Sequence, residues 1–94
     1  MADITHNSAE SRYEARIDGE LAGHADYQIA GQEVTFTHTE VDSAFEGQGV
    51  GSALARFALD DVRSRGGYRV IPQCPFIAGW IDRHPDYADL VASR

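Results

Sequence analysis

Residues 46–52 read Glu-Gly-Gln-Gly-Val-Gly-Ser, with three glycines alternating with other residues and a serine closing the run. Directly after it, Val50, Leu54, Phe57, Ala58 and Val62 recur at three- and four-residue spacing, which predicts a helix from Val50 to about Arg65. Glycine permits a tight turn and lets a ligand approach the backbone without a Cβ in the way. A helix start adds unpaired N–H groups and partial positive charge. A glycine-rich turn that opens a helix is therefore suited to a phosphate or pyrophosphate. A lysine-bearing nucleotide loop is excluded, because Ser52 follows Gly51 directly and the chain contains no lysine. A dinucleotide fingerprint fits at Gly47 and Gly49 but meets Ser52 at its third glycine position, in a chain too short for that domain plus a substrate domain.

Three further side chains have types suited to catalysis. Cys74 is the only thiol, and Pro75 after it suits the first position of a helix. A thiol at such a start lies where the helix charge favours thiolate. A buried, inert cysteine is the alternative. His38 and Glu40 lie two apart on a predicted strand and so share a face, which the same alternation assigns also to Val34 and Phe36. They read either as a catalytic pair near the loop or as a surface ion pair. His6 and His24 have no partner in spacing, and without a Cys/His cluster no metal site is expected.

Antiparallel strands must position these groups. Arg12–Ile17 alternates moderately, and Asp18-Gly19 is a hairpin-turn dipeptide. Residues 20–29 form a second strand, with Leu21, Ala25, Tyr27 and Ile29 on one face and His24, Asp26 and Gln28 on the other. Glu33–Val41 is a third strand rich in Thr, Val and Phe. Gly66-Gly67 stops the long helix, and residues 68–73 form a fourth strand. A second helix starts at Pro75 with Phe76, Ile77, Trp80 and Ile81 as its apolar stripe, and His84-Pro85 breaks it. Residues 86–92 make a last turn or two. Residues 1–11, small and polar, are expected to fray. The order is βββαβα, a mixed α+β fold in a single domain over residues 1–94.

The loop resembles the coenzyme A loop of the GNAT superfamily of N-acetyltransferases, Arg/Gln-x-x-Gly-x-Gly/Ala, with Gly49 and Gly51 at its two small positions and Glu46 where Arg or Gln is usual. Two later stretches, Val-Ile-Pro-Gln-Cys-Pro-Phe-Ile at 70–77 and Arg-His-Pro-Asp-Tyr at 83–87, resemble a family of very small, single-domain GNAT-like proteins, as does Thr-His-Thr-Glu-Val at 37–41. The resemblance covers about residues 13–91. It implies a GNAT-like core trimmed of the usual N-terminal helices and C-terminal strands, with the acceptor site open or completed by a partner chain.

The resemblance also implies an acetyl-CoA-dependent N-acetyltransferase acting on a small-molecule or protein amine. Its cofactor site would comprise Gly47, Gln48, Gly49, Val50, Gly51 and Ser52 at the phosphates, Val41 at the pantetheine and Phe76 beside them. Glu46 is expected to face solvent, since a carboxylate aimed at pyrophosphate would repel it. Cys74 either attacks the thioester or protonates the leaving thiolate. Glu40 is the first choice for general base, and His38 the second. His84 caps the second helix or contacts the cofactor, and Tyr87 packs or places its hydroxyl near the thiol. A coenzyme A-binding module with little turnover and a structural domain without cofactor are the rival readings.

Composition narrows the partners. The formal charge is −7, which disfavours nucleic acid and suits a cationic acceptor, although solubility explains the acidity as well. No run approaches the ~20 apolar residues of a membrane span. No basic, apolar leader opens the chain, and one cysteine forms no internal disulfide, features expected of a cytoplasmic protein.

Overall fold

The computed structural model describes residues 2–91. One five-stranded sheet runs in the order β1 (Asp3–Asn7), β2 (Arg12–Ile17), β3 (Glu20–Ala30), β4 (Glu33–Val41) and β5 (Arg69–Pro72). All neighbours are antiparallel except β4 and β5, which are parallel. Helix α1 (Val50–Arg65) makes the crossover between that pair. Helix α2 (Pro75–Arg83) follows β5, and a short 3₁₀ segment, Pro85–Leu90, ends the described chain. The mixed fold is the expected one. The last segment had been expected over 86–92, of which Ala92 lies outside the described residues.

Local chemistry explains most of these boundaries. Asp18 and Gly19 both take positive φ, 52° and 84°, as a two-residue turn of the mirror-image type requires. Gly66 ends α1 with φ 71° and donates its N–H to Arg63. Pro75 opens α2 and Cys74 is its N-cap residue. The α1 stripe buries Val50, Leu54, Ala58 and Val62 as the periodicity predicts, and adds Ala55 and Leu59. Phe57 instead sits half-exposed at the rim, edge-on to Tyr13 at 6.0 Å between ring centroids.

Two β-bulges revise the face assignments. Between β2 and β3 the register slips at Ala15/Arg16, so Gly23 faces Ala15 while Leu21 faces Arg16. The extra residue, Ala22, is fully buried, and Leu21 swings outward to 37% exposure. Between β3 and β4 the register slips again, pairing Tyr27 with Phe36 but Asp26 with His38. The extra residue there is Thr37. Beyond it the alternation inverts, so Thr39 and Val41 join the helix-covered face and His38 and Glu40 turn to the open one. The expectation that His38 and Glu40 share the face of Val34 and Phe36 is thereby corrected.

The predicted frayed start is corrected as well, because residues 3–7 form β1 along β2. Polar side chains hold this strand. On the open face, Glu14 is only 5% exposed and accepts from Asn7 Nδ2 (3.1 Å), Arg12 Nε (2.7 Å) and Arg16 Nη2 (3.3 Å). The Arg12 hydrogen bond, then that of Asn7, holds its carboxyl below the ordinary value. On the covered face, the His6 ring stacks on Tyr13 at 4.4 Å and bonds the Tyr27 hydroxyl through Nε2. Arg65 donates to His6 Nδ1 at 3.0 Å, nearer than the 3.6 Å to Asp61, and an Nδ1 that accepts belongs to a neutral ring. Asp61 meanwhile accepts from Tyr13 (2.7 Å) and Arg65 (3.1 Å).

A pH prediction follows for this latch. Burial, reinforced by Arg65 and opposed by Asp61, lowers the His6 pKa below 6.5. Between its folded value and about 6.5 the unfolded chain holds the extra proton, so stability rises with pH. The contribution is complete above about pH 6.5 and is lost as pH falls through the lowered folded pKa. Urea midpoints at pH 7 and pH 5.5 should therefore differ more for the wild type than for His6→Gln. The Glu14 contribution is fully present across this interval and is lost only as pH falls from the ordinary carboxylate value towards its lowered one, so it adds no pH dependence here. Equal pH dependence in the two proteins would show that His6 is not held neutral.

Candidate functional site

A cleft of about 360 Å³ lies between Val41 at the end of β4, the loop before α1 and one face of α2, beyond the point where β4 and β5 part. Their pairing stops at Phe36 and Pro72, and one further bond, from Cys74 N to the Phe36 carbonyl (2.8 Å), closes the contact. Beyond it β4 continues through Thr37 to Val41 with no described strand on that side. The floor of the cleft is the loop before α1. Gly49 is the N-cap residue in left-handed conformation, φ 76° and ψ 18°, and Gly47 also has positive φ, 84°. The first α1 backbone bond joins Ala53 N to the Gly49 carbonyl (3.0 Å). The N–H groups of Val50, Gly51 and Ser52 therefore precede any intrahelical acceptor and face outward at the positive end of a 16-residue helix.

Of the residues expected at the cofactor, Val41, Gly47, Gly49, Val50, Gly51, Ser52 and Phe76 all line this cleft. Gln48, exposed within the loop, does not line it. Gly51 is required for space. A Cβ there would lie 2.7 Å from Phe76 Cζ, so the bare backbone lets the Phe76 ring lie against the first turn of α1. Glu46, expected to face solvent, is exposed but stands at the cleft wall.

Three wall residues were not among the sequence candidates, Phe45, Trp80 and Arg83, while a fourth, His84, was read as a helix cap or a cofactor contact. Trp80 was assigned to the core, and it is buried. Its indole N–H nevertheless donates to Ser52 Oγ (2.9 Å) and ties α2 to the phosphate loop. His84 caps α2 by donating Nδ1–H to the Trp80 carbonyl (2.7 Å), and its ring stacks on the indole at 3.8 Å. Its place in the cleft wall leaves the cofactor-contact reading standing beside the capping one. Tyr87 packs edge-on against Trp80 at 5.0 Å and donates its hydroxyl to Asp60 (2.7 Å), which commits that proton to α1. The signal for Arg83 and His84 was their adjacency to the Pro85 helix break, but only the packing of α2 over α1 aims them at the loop.

The three catalytic candidates separate onto the two faces of the sheet. Cys74 is 4% exposed on the helix face, and its Sγ donates to Thr39 Oγ1 at 3.4 Å. Thr39 lies one pleat, about 7 Å, from the cleft residue Val41. His38 and Glu40 stand on the open face, 57% and 65% exposed, with His38 Nε2 3.1 Å from Glu40 Oε1. A second such couple, His24 Nδ1 and Asp26 Oδ1 at 2.9 Å, lies beside them on β3, the two imidazole centroids 6.2 Å apart. Below this group a hollow of about 130 Å³ is bounded by Leu21, Gly23, His24, Glu40 and Asp42. Among the described residues no three His, Cys, Asp or Glu side chains converge to hold a metal, and no helix is long and apolar enough to cross a membrane.

Comparison with known proteins points one way. A family model described as GCN5-related N-acetyl-transferase matches residues 12–90. The fold is similar to the solution structure of a GCN5-like protein from Staphylococcus aureus, with TM-score 0.74 and 20% identity over 98% of this chain and 89% of that one. It is similar also to the ribosomal-protein-S18-alanine N-acetyltransferase of Escherichia coli (TM-score 0.60, 27% identity, 63% of this chain and 38% of that one). A ribosomal-protein-alanine N-acetyltransferase from Brucella melitensis biovar Abortus 2308 gives TM-score 0.62 at 20% identity, over 88% of this chain and 62% of that one. The chain thus spans less than two thirds of either ribosomal-protein enzyme. No curated protein matches it in sequence.

Proposed function

The chain belongs to the GCN5-related N-acetyltransferase family, and from that premise we propose that it transfers the acetyl group of acetyl-CoA to an amine. One observation carries the cofactor half of this reading. Three N–H groups without a partner among the described residues and two positive-φ glycines stand at the floor of a cleft whose walls combine apolar side chains with Glu46, Arg83 and His84. Pyrophosphate suits the first feature. The pantetheine and adenine of coenzyme A suit walls built from Val41, Phe45, Phe76 and Trp80. When bound, acetyl-CoA supplies the activated thioester.

The chain's own groups divide the proton handling. Cys74, a buried thiol already donating a hydrogen bond one pleat from the cleft, is positioned as a proton donor to a departing thiolate on the helix face. Glu40, with His38 as its partner, is positioned as proton acceptor on the open face, where Asp42 and Glu40 also favour a cationic amine. A second reading is a coenzyme A-binding module with little turnover. The exposure of His38 and Glu40 favours it, because nothing among the described residues covers the acceptor side.

Release of free thiol from acetyl-CoA with primary amines, together with intact-protein mass, tests the proposal. Coenzyme A at a hundredfold excess over Kd should add about 2.7 kcal/mol of stability. Glu40→Gln should lower kcat about 10²-fold or more, within the usual span for a general base. Cys74→Ser should keep part of the turnover, with no acetyl adduct in either protein. A hydroxylamine-labile adduct that Cys74→Ala removes would replace the donor role by a covalent one. Stabilisation by coenzyme A without thiol release from any amine would favour the binding module.

A further inference from the structure

We propose that Arg83 is the cation that holds a phosphate group of coenzyme A in this protein, in a loop that offers a carboxylate, Glu46, where a basic side chain would serve. The assignment rests on the coenzyme A reading above. The ligand bears a pyrophosphate and a 3′-phosphate, and it must approach a chain of formal charge −7 that contains no lysine. The helix start contributes only about half a positive charge, and Glu46 at the same wall opposes it.

The arginines can be sorted by what already occupies them. Arg12 and Arg16 bind Glu14, Arg63 binds Asp89, and Arg65 binds Asp61. Arg56 donates to the Tyr87 hydroxyl and lies over the Trp80 ring. Among the described residues, only Arg69 and Arg83 make no ion pair and no side-chain hydrogen bond. Arg69 begins β5 opposite Glu33, at the end of β4 remote from Val41 and the cleft. Arg83 lines the cleft itself, across from the glycine loop.

Its direction is set by the helix. A side chain in the last turn of α2 leans toward the helix N-terminus. Arg83 Nη1 lies 3.5 Å from where a Cβ on residue 79 would stand, an ordinary contact distance one turn back along α2. The guanidinium therefore lies back along α2 over the cleft, with its donors uncommitted. A planar fork of N–H groups is matched to phosphate oxygens.

Calorimetric titration of the full chain with coenzyme A, dephospho-coenzyme A and pantetheine tests this, using wild type, Arg83→Ala, Glu46→Arg and the double variant. Arg83 is exposed, so the substitution should leave the thermal midpoint without ligand unchanged. Arg83→Ala should weaken coenzyme A on the order of tenfold or more, as loss of a charge-assisted bond does. Glu46→Arg in that background should restore most of the loss, because the cation is then supplied from the other wall. Should the Arg83→Ala penalty vanish with dephospho-coenzyme A, Arg83 holds the 3′-phosphate. Should it persist there, Arg83 holds the pyrophosphate. Unchanged affinity of Arg83→Ala for coenzyme A, or an equal loss with phosphate-free pantetheine, would overturn the assignment while leaving the cofactor reading intact. Failure of the wild type to bind coenzyme A would instead sink that reading, and this assignment with it.

Discussion

Gly49→Asp will reduce affinity for coenzyme A by more than two orders of magnitude, whereas Gly49→Ala will reduce it far less. Both substitutions carry a backbone cost, the smaller one for aspartate, which tolerates left-handed backbone better than alanine. Gly49 holds φ 76° and ψ 18°, and a side chain in that left-handed region costs roughly 1–2 kcal/mol. No other atom lies within 4 Å of where its Cβ would be, so the cost is conformational and not steric. Aspartate ordinarily favours a helix N-cap, but it caps from extended backbone, which this residue does not have. Its carboxylate would therefore add negative charge beside the N–H groups of Val50, Gly51 and Ser52 without gaining a cap. Urea denaturation should give Gly49→Asp a stability loss no larger than that of Gly49→Ala, and calorimetry should nevertheless show the weaker affinity in Gly49→Asp. Equal coenzyme A affinity in the two would show that no anion is held at this helix start.

The largest loss of stability is expected at Trp80. Trp80→Ala should cost about 3–5 kcal/mol, as aromatic-to-alanine changes in cores do. A domain of this size has only about 5–15 kcal/mol in total. At roughly 4–8 °C per kcal/mol the thermal midpoint should fall by more than about 12 °C. The indole carries this weight because three elements meet on it. It packs edge-on to Tyr87 and face-on to His84, lies under Arg56 and donates to Ser52. Trp80→Phe keeps the apolar ring and removes the donor, so it should recover most of the stability and leave Ser52 without its tie to α2. A Trp80→Ala loss below about 1.5 kcal/mol would mean that α2 does not pack against the loop as described.

How much of this was legible beforehand depended on the range of the interaction involved. Asp18-Gly19, Pro75 and Gly66 mark their boundaries through φ preferences that each residue carries within itself. The α1 stripe is legible because burial follows a 3.6-residue period as long as the helix is regular. The glycine loop is legible for the same reason, since the unpaired N–H groups at a helix start are a local property. The motifs at 37–41, 70–77 and 83–87 carried the family resemblance, which the match over residues 12–90 bears out.

What the tertiary structure alone decided lies where two segments meet. A β-bulge is a mismatch in length between paired strands, so neither β3 nor β4 announces it in its own alternation. The extra residue at Thr37 inverts everything after it, and for that reason His38 and Glu40 face away from Cys74. Strand β1 was missed because its polar residues gain their value from Glu14, Tyr27 and Arg65, which are 7, 21 and 59 positions away for the three bonds concerned. Arg83 and Trp80 joined the cleft through the packing of α2 across the start of α1. Periodicity records which face of an element is apolar, but the direction in which that face is turned depends on register and packing, both of which belong to pairs of segments.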